Sequence, residues 1–151
     1  MGILKQLFTR SAEASSDVEA GVRKRRTVRQ QRGAEGEALA RAHLEAAGLV
    51  FVAANVRYRD GEIDLVMRDP QRDANALVFV EVRRRKSGAF GGAAASVTLS
   101  KQRRLVAAAE HYLAAHHPHG APPCRFDVVS IEDDDAATDR IAWLRDAIAV
   151  E

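Results

Sequence analysis

The sequence predicts an α/β fold, a mixed β-sheet flanked by helices with elements in the order α-β-β-β-α-β. Three observations lead there. Apolar residues recur at helical intervals over residues 38–46 and again over 105–113. Between these runs lie three segments rich in β-branched residues, the first two separated by a tight turn and the next two by a polar loop. A fourth such segment follows the second helical run, a layout that suits a sandwich of helices and one sheet.

Residues 1–31 carry little apolar periodicity and much Ser, Ala and charge, and are expected to form a poorly ordered basic N-terminal tail ahead of a domain over 32–151. Ala38, Leu39, Ala42, Leu44 and Ala46 then mark a helix, with Gly48 placed to end it. "LVFVAANVRY" reads as a strand, "RDG" at 59–61 as a tight turn and "EIDLVM" as the next strand. "RDPQRDAN" is a polar loop with a proline breaker, and "ALVFVEVR" the third strand, so a meander of antiparallel neighbours is expected. "RRKSGAFGGAAAS" reads as a mobile loop. Thr98 or Ser100 can cap the following helix, whose Leu105, Val106, Ala109, Tyr112 and Leu113 form an apolar face. "HHPHGAPP" interrupts the chain, "CRFDVVSI" is the fourth strand, and "RIAWLRDAIAV" is expected to give a short strand and a final helical turn.

The chain has 151 residues, a length that suits one domain. A single cysteine, Cys124, excludes an internal disulfide and any all-cysteine metal site. No apolar run has the length of a membrane span, and "MGILKQLFTR" is too short in apolar character for a signal peptide, so a cytoplasmic protein with no membrane partner is expected. The net charge of +2 hides segregation. Arg23, Lys24, Arg25, Arg26, Arg29 and Arg32 crowd the N-terminal segment. Arg83, Arg84, Arg85 and Lys86 form a second basic cluster, Lys101, Arg103 and Arg104 a third, and acid gathers in "EDDD" at 132–135.

Two strands carry acids among apolar residues. Asp64 stands between Ile63 and Leu65, and Glu81 between Val80 and Val82. An ionised carboxylate in such surroundings is costly unless something positive compensates it. Alternation puts Glu62 with Asp64 on one face of its strand and Glu81 with Arg83 on one face of the next. If the two strands pair, Asp64 and Glu81 come within reach of each other, and two close carboxylates repel. A divalent cation resolves the conflict, and Mg²⁺ or Mn²⁺ suits it, because Mg²⁺ binds one or two carboxylates while keeping several waters. The Val82 carbonyl and Glu37 of the first helix could add oxygen ligands, and Arg83 could stabilise charge on a phosphorane. The alternative for each acid taken singly is an exposed carboxylate or a pair with Arg57 or Arg59.

"GAEGEALARAHLEAAGLVFVAANVRYRDGEIDLV", "VFVEVRRRKSGAFGG", "SVTLSKQRRLVAAAEHYL" and "CRFDVVSI" together resemble the YraN-like family of bacterial proteins. That family is a branch of the PD-(D/E)xK nuclease superfamily, close to archaeal Holliday junction resolvases. The resemblance covers about residues 32–131 and implies a restriction-endonuclease-like three-layer core with a Mg²⁺-dependent site. It assigns catalytic roles to Glu37, Asp64, Glu81 and Arg83, with Asp64, Glu81 and Glu37 as metal ligands beside the Val82 carbonyl already considered. Arg83 departs from the pattern, standing where the superfamily has lysine; arginine is always protonated and cannot act as a base. Lys101, at the start of the second helix, is a candidate to approach the site in space.

The expected partner is DNA of branched or irregular structure, its phosphates held by Arg84, Arg85, Lys86, Lys101, Arg103 and Arg104, with a homodimer suited to symmetric cutting. Two other readings stay open: a non-catalytic nucleic-acid-binding module that keeps the fold, and a scaffold whose basic face meets an acidic protein. His116, His117 and His119 match no familiar zinc spacing and read as a surface loop. His43 and His111 read as packing or surface residues, Cys124 as core, Trp143, Leu144 and Ile148 as packing of the last segment, and Asp127 as a partner of Arg125 or of a helix outside the metal site.

Overall fold

A computed structural model describes residues 25, 27–72, 74–86, 97–133 and 139–150. The chain divides into Met1–Glu35 and Gly36–Glu151, and the sheet lies wholly in the second unit. Residues 27–46 are helical (α1), followed by β1 (Val50–Tyr58), β2 (Gly61–Asp69), β3 (Ala76–Lys86), α2 (Leu99–His116), β4 (Cys124–Asp133) and β5 (Arg140–Leu144). The five strands lie side by side in chain order. β1, β2 and β3 form the expected antiparallel meander, β4 returns parallel to β3 after the α2 crossover, and β5 closes the far edge antiparallel. This mixed sheet with helices is the predicted α/β class and is consistent with a restriction-endonuclease-like core.

Two apolar clusters fill the faces of the sheet. Ile63, Leu77, Phe79, Phe126 and Val128 pack with Leu105, Ala108, Ala109 and Tyr112 of α2. Leu65, Met67, Val78, Val80, Val129 and Ile131 pack with Ala40 and Leu44 of α1. Alternation along β3 and β4 therefore feeds both layers, as a sheet covered on two sides requires. Gly48 ends α1 at φ 97°, and the Leu49 N–H reaches back to the Leu44 carbonyl at 3.1 Å.

Several expectations need correcting. Helix α1 begins by residue 27, earlier than Gly33, so residues 27–31 of the expected tail are helical; the rest of that tail lies outside the described residues except Arg25. The stretch is exposed all round and has no apolar stripe, but Arg29, Gln30, Gln31 and Arg32 are good helix formers. Strand β3 runs on through Arg84, Arg85 and Lys86, which were expected in a loop, because Ile131, Glu132 and Asp133 of β4 pair with them. The remainder of that loop, 87–96, lies outside the described residues. The short strand expected near the C-terminus is β5, but no helical turn follows it: Arg145 and Asp146 form a turn with Asp146 at φ 50°. Cys124 opens β4 as expected but is exposed, its thiol donating to the Pro122 carbonyl at 3.0 Å.

Asp127 is wholly buried on the α1 side of the sheet and belongs to a network separate from Asp64 and Glu81. It accepts from Arg125 Nε at 3.1 Å, Trp143 Nε1 at 3.0 Å and the Asp146 N–H at 2.9 Å. Arg125 Nη1 also donates to Asp69 at 2.9 Å, which holds the Asp69 carboxyl below its ordinary pKa against the cost of burial. This network ties the end of β2 to β4 and β5. It is structural, as the pairing of Asp127 with Arg125 suggested.

Candidate active site

The β2–β3 ladder runs from Asp69 opposite Ala76 to Leu65 opposite Val80 and stops there. The next residues in the same register are Asp64 and Glu81. In place of a ladder bond, the Val82 N–H donates to Asp64 Oδ2 at 2.8 Å. Ile63 belongs to the core under α2 while Leu65 belongs to the core under α1, so the side-chain alternation of β2 changes phase at Asp64. The strands part at this point, and the opening is lined by the two acids.

Burial pushes the Asp64 carboxyl up from 3.8 to about 7, and Glu81 adds to the rise, with smaller contributions from Glu37 and Glu62; the Val82 N–H pulls the other way. Glu81 is also raised, by burial first, while Lys101 and Arg83 draw it down and Glu62 raises it. The two carboxyl groups therefore lie close enough for each to act on the other's ionisation. The sequence expectation that these acids would meet is thus met in the geometry, with Glu37 and Glu62 close enough to be felt.

Two cations approach the same oxygen. Arg83 Nη1 lies 3.7 Å from Glu81 Oε1, and Lys101 Nζ lies 3.9 Å from it. Lys101 arrives from the other side of a crossover, and two local features place it. Thr98 caps α2, its Oγ1 accepting from the Lys101 N–H at 3.3 Å. Gly61, at the start of β2, lies so close to α2 that a Cβ there would overlap the Arg104 carbonyl. Only glycine allows the β1–β2 turn to approach the helix backbone this way.

Glu37 sits on α1 and accepts from Asn55 Nδ2 at 2.7 Å. Val82 enters the site through its backbone N–H, while its side chain packs against the core under α1. The residues brought together are therefore Glu37, Asp64, Glu81, Val82, Arg83 and Lys101. Arg103 and Arg104 are exposed on the first turns of α2, Lys86 is exposed at the end of β3, and Arg85 is half-buried. Arg84 does not join them. It points toward α1, where its side chain lies against Gly36 near enough to meet a Cβ at 3.7 Å, and its Nε donates to Asp133 at 2.7 Å. Its guanidinium is thus already engaged by a carboxylate of β4, unlike the exposed side chains of Arg103 and Arg104.

Asn55 and Glu62 were not among the sequence-derived site residues. Glu62 was visible as a face-mate of Asp64; for Asn55 the signal was an amide inside a largely apolar strand. His116 Nδ1 lies 2.9 Å from the Tyr112 carbonyl and stacks on that ring, so it finishes α2 and stands apart from the acids. A cavity of about 510 Å³ opens under the second half of α2, lined by residues such as Phe79, Leu113, Phe126 and Ile148. None of the acids of the opening lines it.

Hard oxygen donors dominate the opening: the carboxylates of Asp64 and Glu81, then Glu37, and the Val82 carbonyl as a further candidate. Among the described residues, no three His, Cys, Asp or Glu side chains close on one point as a ready-made metal cage.

Residues 36–131 match the family described as "Uncharacterised protein family UPF0102". The chain is 54% identical over 124 residues to a UPF0102 protein of Xanthomonas campestris pv. campestris (strain B100), covering 82% of this chain and 96% of that one. It is 55% identical over 119 residues to a UPF0102 protein of Burkholderia lata, covering 79% and 77%. A UPF0102 protein of Cupriavidus taiwanensis is also 55% identical over 119 residues, covering 79% and 83%. No helix among the described residues is long and apolar enough to cross a membrane.

Proposed function

The chain belongs to the UPF0102 family, and from that premise we propose that it is a metal-dependent endonuclease-like protein that binds structured or branched DNA and hydrolyses its phosphodiester bonds at the opening between β2 and β3. The observation that carries this reading is the enforced meeting of Asp64 and Glu81, with Asp64 pushed up to about 7 by burial and by its neighbour. A fold that crowds two acids in a half-buried opening favours a species that neutralises both.

The donor set fits Mg²⁺ or Mn²⁺: oxygen ligands only, with two principal carboxylates, the number with which Mg²⁺ keeps several of its waters. Asp64 and Glu81 would hold the ion, with Glu37 and the Val82 carbonyl as further ligands. When bound, the ion polarises a phosphate oxygen and lowers the pKa of water.

The chain's own residues supply the rest. Arg83 and Lys101 flank Glu81 and face the charge that builds on the phosphate oxygens as a water oxygen forms a bond to phosphorus and the bond to O3′ breaks. The guanidinium of Arg83 cannot accept the water's proton. That proton passes to a phosphate oxygen, and the leaving O3′ takes one from solvent. Glu81 fixes both cations, so their charge is aimed before substrate arrives.

Basic side chains extend the site. Lys101, Arg103 and Arg104 crowd the first turns of α2, and no acid stands in its first turn. Cations at the positive end of a helix cost about 0.3–1 kcal/mol each, a penalty that a bound phosphate reverses. Arg85 and Lys86 continue the basic character along β3. Few aromatic side chains are free to read bases, so shape and backbone carry recognition.

The test uses the purified full chain with Mn²⁺ on junction, flap and single-stranded DNA. The wild type is expected to cleave at least one of them, and Asp64→Asn to lose at least about 100-fold in rate, the scale of removing one charge-stabilising contact, while still binding DNA. Intact substrates throughout, or cleavage by Asp64→Asn at the wild-type rate, would defeat the proposal. A second reading, a nucleic-acid-binding module that keeps the fold without the chemistry, is favoured by Arg83, which cannot act as a base. On that reading calorimetric titration with Mg²⁺ or Mn²⁺ finds no site at Asp64 and Glu81.

A further inference from the structure

One residue beside the acids adopts a backbone conformation that a strand does not require. Asn55 lies within β1 at φ 52°, in the left-handed region, which costs a non-glycine residue of the order of 1 kcal/mol or more. The pairs Ala54–Leu65 and Val56–Ile63 place it directly across from Asp64. The alternation of β1 changes phase here: Ala53 and Val56, three residues apart, both pack against the core under α2. Asn55 and Asp64 thus mark one row of the sheet at which both strands break their regular pattern.

The break has a visible product. The Asn55 carboxamide donates to Glu37 Oε2 at 2.7 Å, joining the edge strand to the helix that carries the third acid. Glu37 in turn contributes to the raised pKa of Asp64, so the bonded carboxylate belongs to the same field. An amide donor on one oxygen fixes the rotation of the carboxylate and leaves its other oxygen to face elsewhere. Asparagine is one of the few non-glycine residues that tolerate the left-handed region while also offering an N–H donor.

We propose that Asn55 is a positioning residue: its left-handed backbone aims the carboxamide at Glu37 and holds that carboxylate oriented toward the cation site at Asp64 and Glu81. The proposal rests on the cation reading given above, and its test separates the two. Asn55→Gly retains the backbone conformation, since glycine occupies it without strain, and removes only the amide. Outer partners of metal ligands are worth about 10–100-fold in affinity.

Mn²⁺ binding to the full chain, measured by calorimetry and by electron paramagnetic resonance of the bound ion, is expected to weaken about 10-fold in Asn55→Gly, with the thermal midpoint of the metal-free protein unchanged or raised. Glu37→Gln is expected to lose at least as much. The double variant should lose no more than Glu37→Gln alone, because the amide acts only through that carboxylate. Wild-type affinity and an unaltered resonance spectrum in Asn55→Gly would overturn the positioning role while leaving the cation site intact. Equal further losses when Asn55→Gly is added to Glu37→Gln would also overturn it, since the amide would then act independently. A wild type that binds no Mn²⁺ would overturn both this inference and the reading on which it rests.

Discussion

At the scale of single residues, the most informative group is Asp64. Its carboxyl is pushed from 3.8 to about 7 by burial first and by Glu81 second, so the folded chain holds a proton that the unfolded chain has released. For an acid whose folded pKa is raised, the associated stability is fully present below the unfolded value and is lost as pH rises through the folded one. Urea unfolding of the metal-free protein should therefore show stability falling between about pH 4 and pH 8. Asp64→Asn retains an acceptor for the Val82 N–H and removes the titration, so it should be the more stable form at pH 8, by about 1–3 kcal/mol, with the advantage gone near pH 4. A flat pH profile in the wild type would contradict the crowding. The pair itself was legible in the sequence, because a short link between two strands fixes which residues face one another. The raised pKa was not, because it depends on how the strands part beyond Leu65 and Val80.

At the scale of elements, the position of α2 decides whether Lys101 reaches Glu81. The turn before β2 presses on the helix backbone at Arg104, and only the missing side chain of Gly61 permits it. Gly61→Ala should force the helix outward. The expected cost is about 3 kcal/mol, the upper range for overpacking, which lowers the thermal midpoint by on the order of 10 °C in a chain this size. A midpoint within about 2 °C of the wild type would mean the helix accommodates the methyl freely. The sequence offered "RDG" as a turn, and that was correct, but a turn glycine and a packing glycine look alike in one dimension. The length of β3 was hidden for a related reason. Arg84, Arg85 and Lys86 read as loop until the parallel register sets them beside Ile131, Glu132 and Asp133, where Arg84 meets Asp133. Likewise the exposed helical run before Gly33 lacks the stripe by which helices are recognised, and Asn55 shows its conformation only in three dimensions.

At the scale of the whole molecule, a near-neutral net charge of +2 coexists with a basic rim around an acidic opening. A duplex held by that rim should bind with a strong salt dependence, log affinity falling by about 0.9 per phosphate neutralised for each unit of log salt. Replacing Lys101 and Arg103 together with Met should reduce the slope by roughly 2, uniformly across DNA sequences. Fluorescence anisotropy over a range of KCl concentrations reads this directly, and an unchanged slope would remove those side chains from the contact. The overall architecture was the most legible level of all, because helical and strand periods alternate cleanly along the chain. β5 was legible as a strand, but its link to β4 through Asp127 and Trp143 emerges only from the fold.

The β2–β3 hairpin joins near neighbours in the chain, whereas the parallel β3–β4 pairing must wait for the α2 crossover to close. Local pairings form faster than distant ones. During synthesis, then, Asp64 and Glu81 can be drawn together while Lys101 and β4 have yet to emerge. The nascent hairpin then carries the repulsion between those two acids without the lysine that later offsets it.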